Sequence, residues 1–348
     1  MNIVVPVWGD AYLDTFLGYS LPAQLSGGNM PVLGGDSQHR YLIYTNDAGR
    51  HRCEAHPLVA QLRRHVAVEF RSIDALPNLA GGNKYRIKSD CYAWELDEAS
   101  ASGAAVAMLN ADILLADGFI RRTLALLNEG KRVIEVTGGR GLQDPIKAEI
   151  DRQFRLDDRT ISVSPQDLAR IWIANLHPQL AMHNVEGPDG GSFHPSHLYW
   201  LVGQEGVIIR AFHLYPIVVK PGAVPVRFFG TIDDDLVARL TPSHEERFLA
   251  QDGRDLFCCE LSPPEHFVGD VAWRDNRDSV INFYLGYRNE NISNLDKEII
   301  ISAQPVVGEL WDERRRASRE YAAQLVSDLR SEIDRRNAAA AVEQAVEM

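Results

Sequence analysis

Residues 104–118 read AAVAMLNADILLADG. The apolar stretch 104–109 has the length and composition of a buried strand, and it closes on Asn110-Ala111-Asp112. Open parallel sheets bind ligands in the crevice beyond the carboxyl ends of their strands, so a carboxylate just past such a strand faces that crevice. One or two of its oxygens can hold Mg²⁺ or Mn²⁺ while phosphate oxygens take other ligand positions. The competing reading is a plain turn in which Asn110 and Asp112 cap the next element.

The chain on either side has the alternation a parallel sheet needs. Residues 3–7 (IVVPV) form a buried-strand run, and Asp10 can cap a helix whose Leu13, Phe16 and Leu17 share a face until Pro22 disrupts it. Residues 41–45 and 66–72 read as strands flanking a helix at 56–65. Residues 83–102 read as a helix closed by Gly103, which leads into the 104–109 strand. Downstream, 117–129 is a helix ended by Gly130 and 132–136 a further strand. Strands alternating with helices predict an α/β chain with a mostly parallel sheet covered on both faces.

Past residue 141 the alternation loosens into a mixed α+β half. Residues 166–176 have a helical pattern, and 186–196 (EGPDGGSFHPS) form a Gly/Pro/Ser loop of a kind that often carries function. Residues 198–202 and 207–212 read as strands about a turn at 203–206, with 217–220 a third. From Glu309 onward Ala317, Tyr321, Leu325, Leu329 and Ile333 recur every four residues among Arg and Glu. That stripe predicts a long C-terminal helix that packs on the body or pairs with a second copy of the chain, a homo-oligomer in the latter case. The expected organisation is 1–140 as a ligand-binding half, 141–308 as the other half of the same domain, and 309–348 as a helical extension.

Lys+Arg 36 against Asp+Glu 48 gives the 348 residues a net charge of −12, which repels phosphate backbones, so no nucleic-acid partner is expected. Cys53, Cys91, Cys258 and Cys259 have no CxxC spacing and suit neither zinc nor a disulfide framework, which fits a reducing compartment. No window approaches the ~20 apolar residues of a membrane span, and the amino terminus lacks a basic n-region. The expectation is a cytoplasmic chain without a transmembrane segment. A peripheral site on the inner membrane is its variant, one that Asp328, Glu332 and Asp334 on the terminal helix oppose. There is no Gly-rich dinucleotide fingerprint after the first strand, no GxxxxGK[ST] and no GxSxG. A diphosphate bound by such a sheet then needs cationic side chains or a divalent ion.

The opening Val4-Val5-Pro6-Val7-Trp8-Gly9-Asp10-Ala11-Tyr12-Leu13, followed by Ser20-Leu21 and Gln24, resembles the first βα unit of nucleotide-sugar-dependent glycosyltransferases of the GT-A fold, family-2-like in this unit. In those enzymes a strand ending in a proline-containing turn carries the nucleotide, and a DxD motif closes a later strand. Asn110-Ala111-Asp112 stands where that motif would be, with Asn110 in place of the first Asp, which leaves the metal mainly to Asp112. The resemblance implies a GT-A (Rossmann-like) domain that moves a sugar from a nucleotide-sugar donor to an acceptor hydroxyl with Mn²⁺ or Mg²⁺. The donor contacts it implies are Pro6, Val7, Trp8, Tyr12, Thr45, Lys84, Lys88, Asn110 and Asp112, and the metal ligands Asp112 and His213. A non-catalytic nucleotide-sugar-binding or scaffolding protein is the alternative that Asn110 keeps open. A sugar nucleotidyltransferase fits less well, because residues 8–25 lack its Gly-rich loop with Arg and Lys.

Lys84 and Lys88 lie four apart on one face at a helix start, where the helix dipole adds to their charge; a solvated basic turn is the bland reading. His213 ends an apolar strand, where a neutral imidazole suits a metal or a phosphate, or is simply a hydrogen-bonded core histidine. His194 and His197 have no companion pair, so zinc is not expected. The densest carboxylate run, Asp233-Asp234-Asp235, persists only if solvated or balanced by a cation or hydroxyl network. Direct displacement needs one carboxylate to take the acceptor proton, so this run is the expected catalytic base, with a helix N-terminus as its alternative.

Overall fold

The computed structural model describes every residue except 35–37, 76–82, 182, 186–195, 224–231, 233–235, 241, 267–276, 287–288 and 348. The Asp233-Asp234-Asp235 run, His194 and most of the 186–196 loop therefore lie outside the described residues. Among the described residues the strands are β1 (Asn2–Pro6), β2 (Arg40–Thr45), β3 (Ala67–Ser72), β4 (Val106–Met108), β5 (Ile113–Leu115), β6 (Val133–Val136) and β7 (Arg140–Leu142). They continue as β8 (His197–Val202), β9 (Gly206–Ala211), β10 (Tyr215–Val219), β11 (Arg247–Leu249), β12 (Cys258–Ser262) and β13 (Ile299–Ser302).

The expected α/β class is what folds, with a largely parallel seven-strand sheet, flanking helices and a long C-terminal helix. The order is β3-β2-β1-β4-β10-β6-β11; β1 runs parallel to β2 and β4, while β10 lies antiparallel between β4 and β6. Every residue of β1 is buried because both faces are covered. Ile3 and Val5 pack with Leu13 and Phe16 on one side, and Val4 packs with Tyr92 and Leu96 on the other. β10 and β11 come from the second half of the chain yet complete the sheet of the first.

Pro22 does not end the first helix. The helical course runs through Asp10–Thr15, a wider π turn at Phe16–Ser20, and Leu21–Gln24. Proline has no N–H for the carbonyl four residues back, and that carbonyl, on Gly18, accepts instead from Arg155 Nη2 at 2.9 Å. The helix Lys84–Ser102 forms as expected. Asn83 Oδ1 accepts from the Tyr85 and Arg86 amides at 3.0 and 3.2 Å, and Gly103 closes it in the left-handed conformation.

Residues 113–115, absent from the expected strands, form β5 and leave the main sheet. β5 pairs antiparallel with β12, and β12 pairs parallel with β7, giving a second, three-strand sheet. The turn Asn110-Ala111-Asp112 is the link between the two sheets, tied by Ile113 N–H donating to Asn110 O at 3.2 Å.

β13, β9 and β8 make a third sheet, covered by the helix Glu309–Glu347. The four-residue stripe finds its partner within the chain: Leu325 and Leu329 are fully buried with Trp200, Phe212 and Tyr284, and Tyr321 meets Trp200 edge-on at 5.8 Å. Arg210, a charge inside the apolar β9, pins that helix down. It donates to Asp296 O at 2.8 Å and reaches Glu298 and Ser318 at 3.4 Å, while Arg315 from the helix pairs with Glu298. No helix among the described residues is long and apolar enough to cross a membrane.

Candidate functional site

The strand order turns at β1: the chain steps outward through β2 to β3, then returns to set β4 on the other side. A cavity of about 550 Å³ opens beyond the carboxyl ends of β1 and β4, within the usual range for a small-molecule site. Gly9, with φ +82°, takes the chain from β1 into the first helix, a conformation glycine adopts without strain. Trp8 and Tyr12 thereby line the cavity with Pro6 and Val7. Lys84 and Lys88 line it from the helix start opposite. Lys84 Nζ lies 5.8 Å from the Tyr12 ring centre and 5.3 Å from that of Tyr85, and donates to Tyr12 Oη at 3.4 Å. Asn110 and Asp112 form part of the floor.

Of the expected donor contacts only Thr45 falls outside this cavity. It ends β2 fully buried, its hydroxyl packed into the space left by the missing side chain of Gly49 on the next helix. His213 is also elsewhere: it lines an adjoining cavity of about 290 Å³ with His183 and His197, its ring 4.9 Å from that of Phe212. Asp112 lines the first of these two cavities and His213 the second, and no group of three or more His, Cys, Asp or Glu able to hold a metal occurs among the described residues. Trp200 is core beneath the C-terminal helix.

Sequence reasoning missed Tyr85, Arg140, Glu260 and His266. Arg140 and Glu260 stand in no local motif; sheet register brings them together, Glu260 opposing Ile113 on β5 and Arg140 on β7. Glu260 Oε1 accepts from Asn110 Nδ2, and Oε2 accepts from Arg140 Nε at 3.3 Å. Tyr85, Lys88, Asn110, Arg140 and Glu260 belong to both cavities, so they form the wall where the two meet. His266 stacks on Tyr12 with ring centres 6.3 Å apart, and burial, then Lys84 and Arg140, keep its imidazole below the ordinary histidine range.

Burial, reinforced by the nearby Glu260 carboxylate, pushes Asp112 up to about 7 against the pull of Lys88 and Arg140. A raised carboxyl makes the folded chain hold a proton that the unfolded chain has released. Stability is therefore lost as pH climbs from the ordinary aspartate range to about 7, and the deficit is complete above it. Asp112→Asn, which cannot ionise, should melt at least about 2 °C above the wild type near pH 8, with the gap closing near pH 4. Calorimetry across that range checks it, and a variant that melts at or below the wild type at the upper end contradicts it.

No protein-family model matches the chain, and no curated protein does. Among solved structures, mouse xyloside xylosyltransferase 1 in its apo form is similar over 45% of this chain and 61% of that one, at 11% identity and a TM-score of 0.28. A similarity at that level says nothing of activity or substrate.

Proposed function

We propose that the chain is a GT-A-type glycosyltransferase that moves a sugar from a nucleotide-sugar donor to an acceptor hydroxyl. The observation that carries this reading is two cavities meeting on one wall that bears cations, a carboxylate and an aromatic ring. Lys84, Lys88 and Arg140 offer charge to a diphosphate, and Trp8 and Tyr12 offer ring faces to a base or sugar. In the transfer the bond from the anomeric carbon to the diphosphate oxygen breaks, its electron pair leaving on that oxygen, as the acceptor oxygen bonds to the carbon. Glu260 faces both cavities and takes the acceptor proton, while Lys88 and Arg140 balance charge on the leaving group.

The donor set is chemically suited to Mg²⁺ or Mn²⁺, which one or two carboxylates hold together with substrate phosphates. Asp112 would hold the ion, since a cation beside it relieves the burial and like charge that oppose its ionisation. When bound, the ion supplies charge neutralisation at the diphosphate. Asn110 has its amide engaged at both ends and His213 lines the other cavity, so neither joins it.

A melting-temperature panel of UDP-, GDP-, CMP- and dTDP-sugars, with and without Mn²⁺, tests the reading by mass action. One nucleotide class should raise the melting temperature, more so with Mn²⁺, and should slowly release its free nucleotide without acceptor: the nucleoside diphosphate from a UDP-, GDP- or dTDP-sugar, CMP from a CMP-sugar. No shift with any of them would sink the proposal. A shift without turnover favours the binding-protein alternative.

A further inference from the structure

We propose that Asn110 is a positioning residue whose amide, clamped by Tyr92 and Tyr215, seats the Glu260 carboxylate on the wall between the two cavities. The second acid of the site then comes from β12 and not from position 110. The role of Glu260 rests on the glycosyl-transfer reading; the pairing of amide with carboxylate does not.

Asn110 is 6% exposed, and three distant segments converge on its side chain. Tyr92, from the helix Lys84–Ser102, brings its hydroxyl within 3.2 Å of Oδ1, and Tyr215, from β10, within 3.3 Å. The same hydroxyls also reach the carbonyls of Leu109 and Met108 at 3.1 and 2.9 Å. Nδ2 donates to Glu260 Oε1 across 150 residues of chain. The amide has one workable direction. Reversed, it would set Oδ1 against a carboxylate oxygen with no proton between them. A turn residue that merely caps a strand needs none of these partners. Arg140 holds the other carboxylate oxygen, so Glu260 is gripped at both ends, by one donor from the turn after β4 and one from β7.

A consequence runs against the motif. An aspartate at 110 matches asparagine in shape, so it leaves the packing alone and removes only the donor that faces Glu260. It would not add a useful acid; it would oppose two carboxylates in a half-buried place. Asn110→Asp should therefore weaken the site. Exchange of the pair, Asn110→Asp with Glu260→Gln, restores one donor and one acceptor with reversed polarity.

The test compares the full-length chain with N110D, E260Q and the double variant. Melting is followed by calorimetry. Affinity and turnover are followed with the nucleotide sugar that gives the largest shift in the panel above. N110D should melt roughly 3 °C or more below the wild type, and the double variant should regain about half of that loss or more. Turnover should stay lost in the double variant while stability returns, because its carboxylate now stands at 110 and not on β12. N110D that melts at or above the wild type overturns the proposal. So does a double variant no more stable than the sum of the singles, or one whose turnover returns with its stability. If N110D does not fold, Tyr215→Phe, which removes one clamp hydroxyl, should lower turnover about tenfold at unchanged donor affinity, and unaltered turnover then overturns the proposal. If no nucleotide sugar is turned over, the transfer reading fails while the melting comparison still decides the pairing.

Discussion

Asp112→Ala should abolish Mn²⁺-dependent nucleotide-sugar affinity, a loss of about a hundredfold or more, equivalent to roughly 2.8 kcal/mol. Asp112 follows β4 at the switch point, and it shares its cavity with the lysines that would meet a diphosphate. Substitution costs the fold little, because the carboxyl is held partly against burial and against Glu260. Loss of affinity should therefore arrive without loss of stability, which separates a ligand from a packing residue. Isothermal titration of the folded variant with and without Mn²⁺ decides the matter. Unchanged Mn²⁺-dependent affinity would remove Asp112 from the site.

Glu260→Gln should keep donor affinity and lose transfer by about a hundredfold or more, the effect of removing a general base used only in the transition state. The side chains are isosteric, and a glutamine oxygen can still accept from Asn110 or from Arg140. The expected signature is thus a fall in kcat with little change in the donor KM. The competing assignment is the run Asp233-Asp234-Asp235. Normal turnover in E260Q, together with its loss in one of the Asn variants of that run, would return the base to it.

The two predictions differ in how far sequence could have led to them. Asp112 was legible because a buried strand followed by polar residues is a local pattern, and the sheet type says where its end must point. Lys84 and Lys88 were legible for the same reason: one helix start, one face, an Asn cap before it. Glu260 had no such signal. It is the middle residue of a five-residue strand, Cys258–Ser262, whose neighbours on both sides are buried. For His213 and Thr45 the same local pattern did not fix the place: Thr45 ends β2 and His213 follows β9 by two residues, yet neither lines the main cavity.

Local periodicity and capping by themselves determined the α/β class, the strand that leads into Asn110-Ala111-Asp112, the helix Lys84–Ser102 and the apolar stripe of the C-terminal helix, because each depends on residues a few positions apart. Tertiary structure alone decided that residues 113–115 leave the main sheet and that β12 lies between β5 and β7. It also decided which way the Asn110 amide faces and which surface covers the stripe. These depend on pairings between segments more than a hundred residues apart. A strand shifted by one residue would turn Glu260 to the other face of its sheet, and nothing in a five-residue stretch specifies that register.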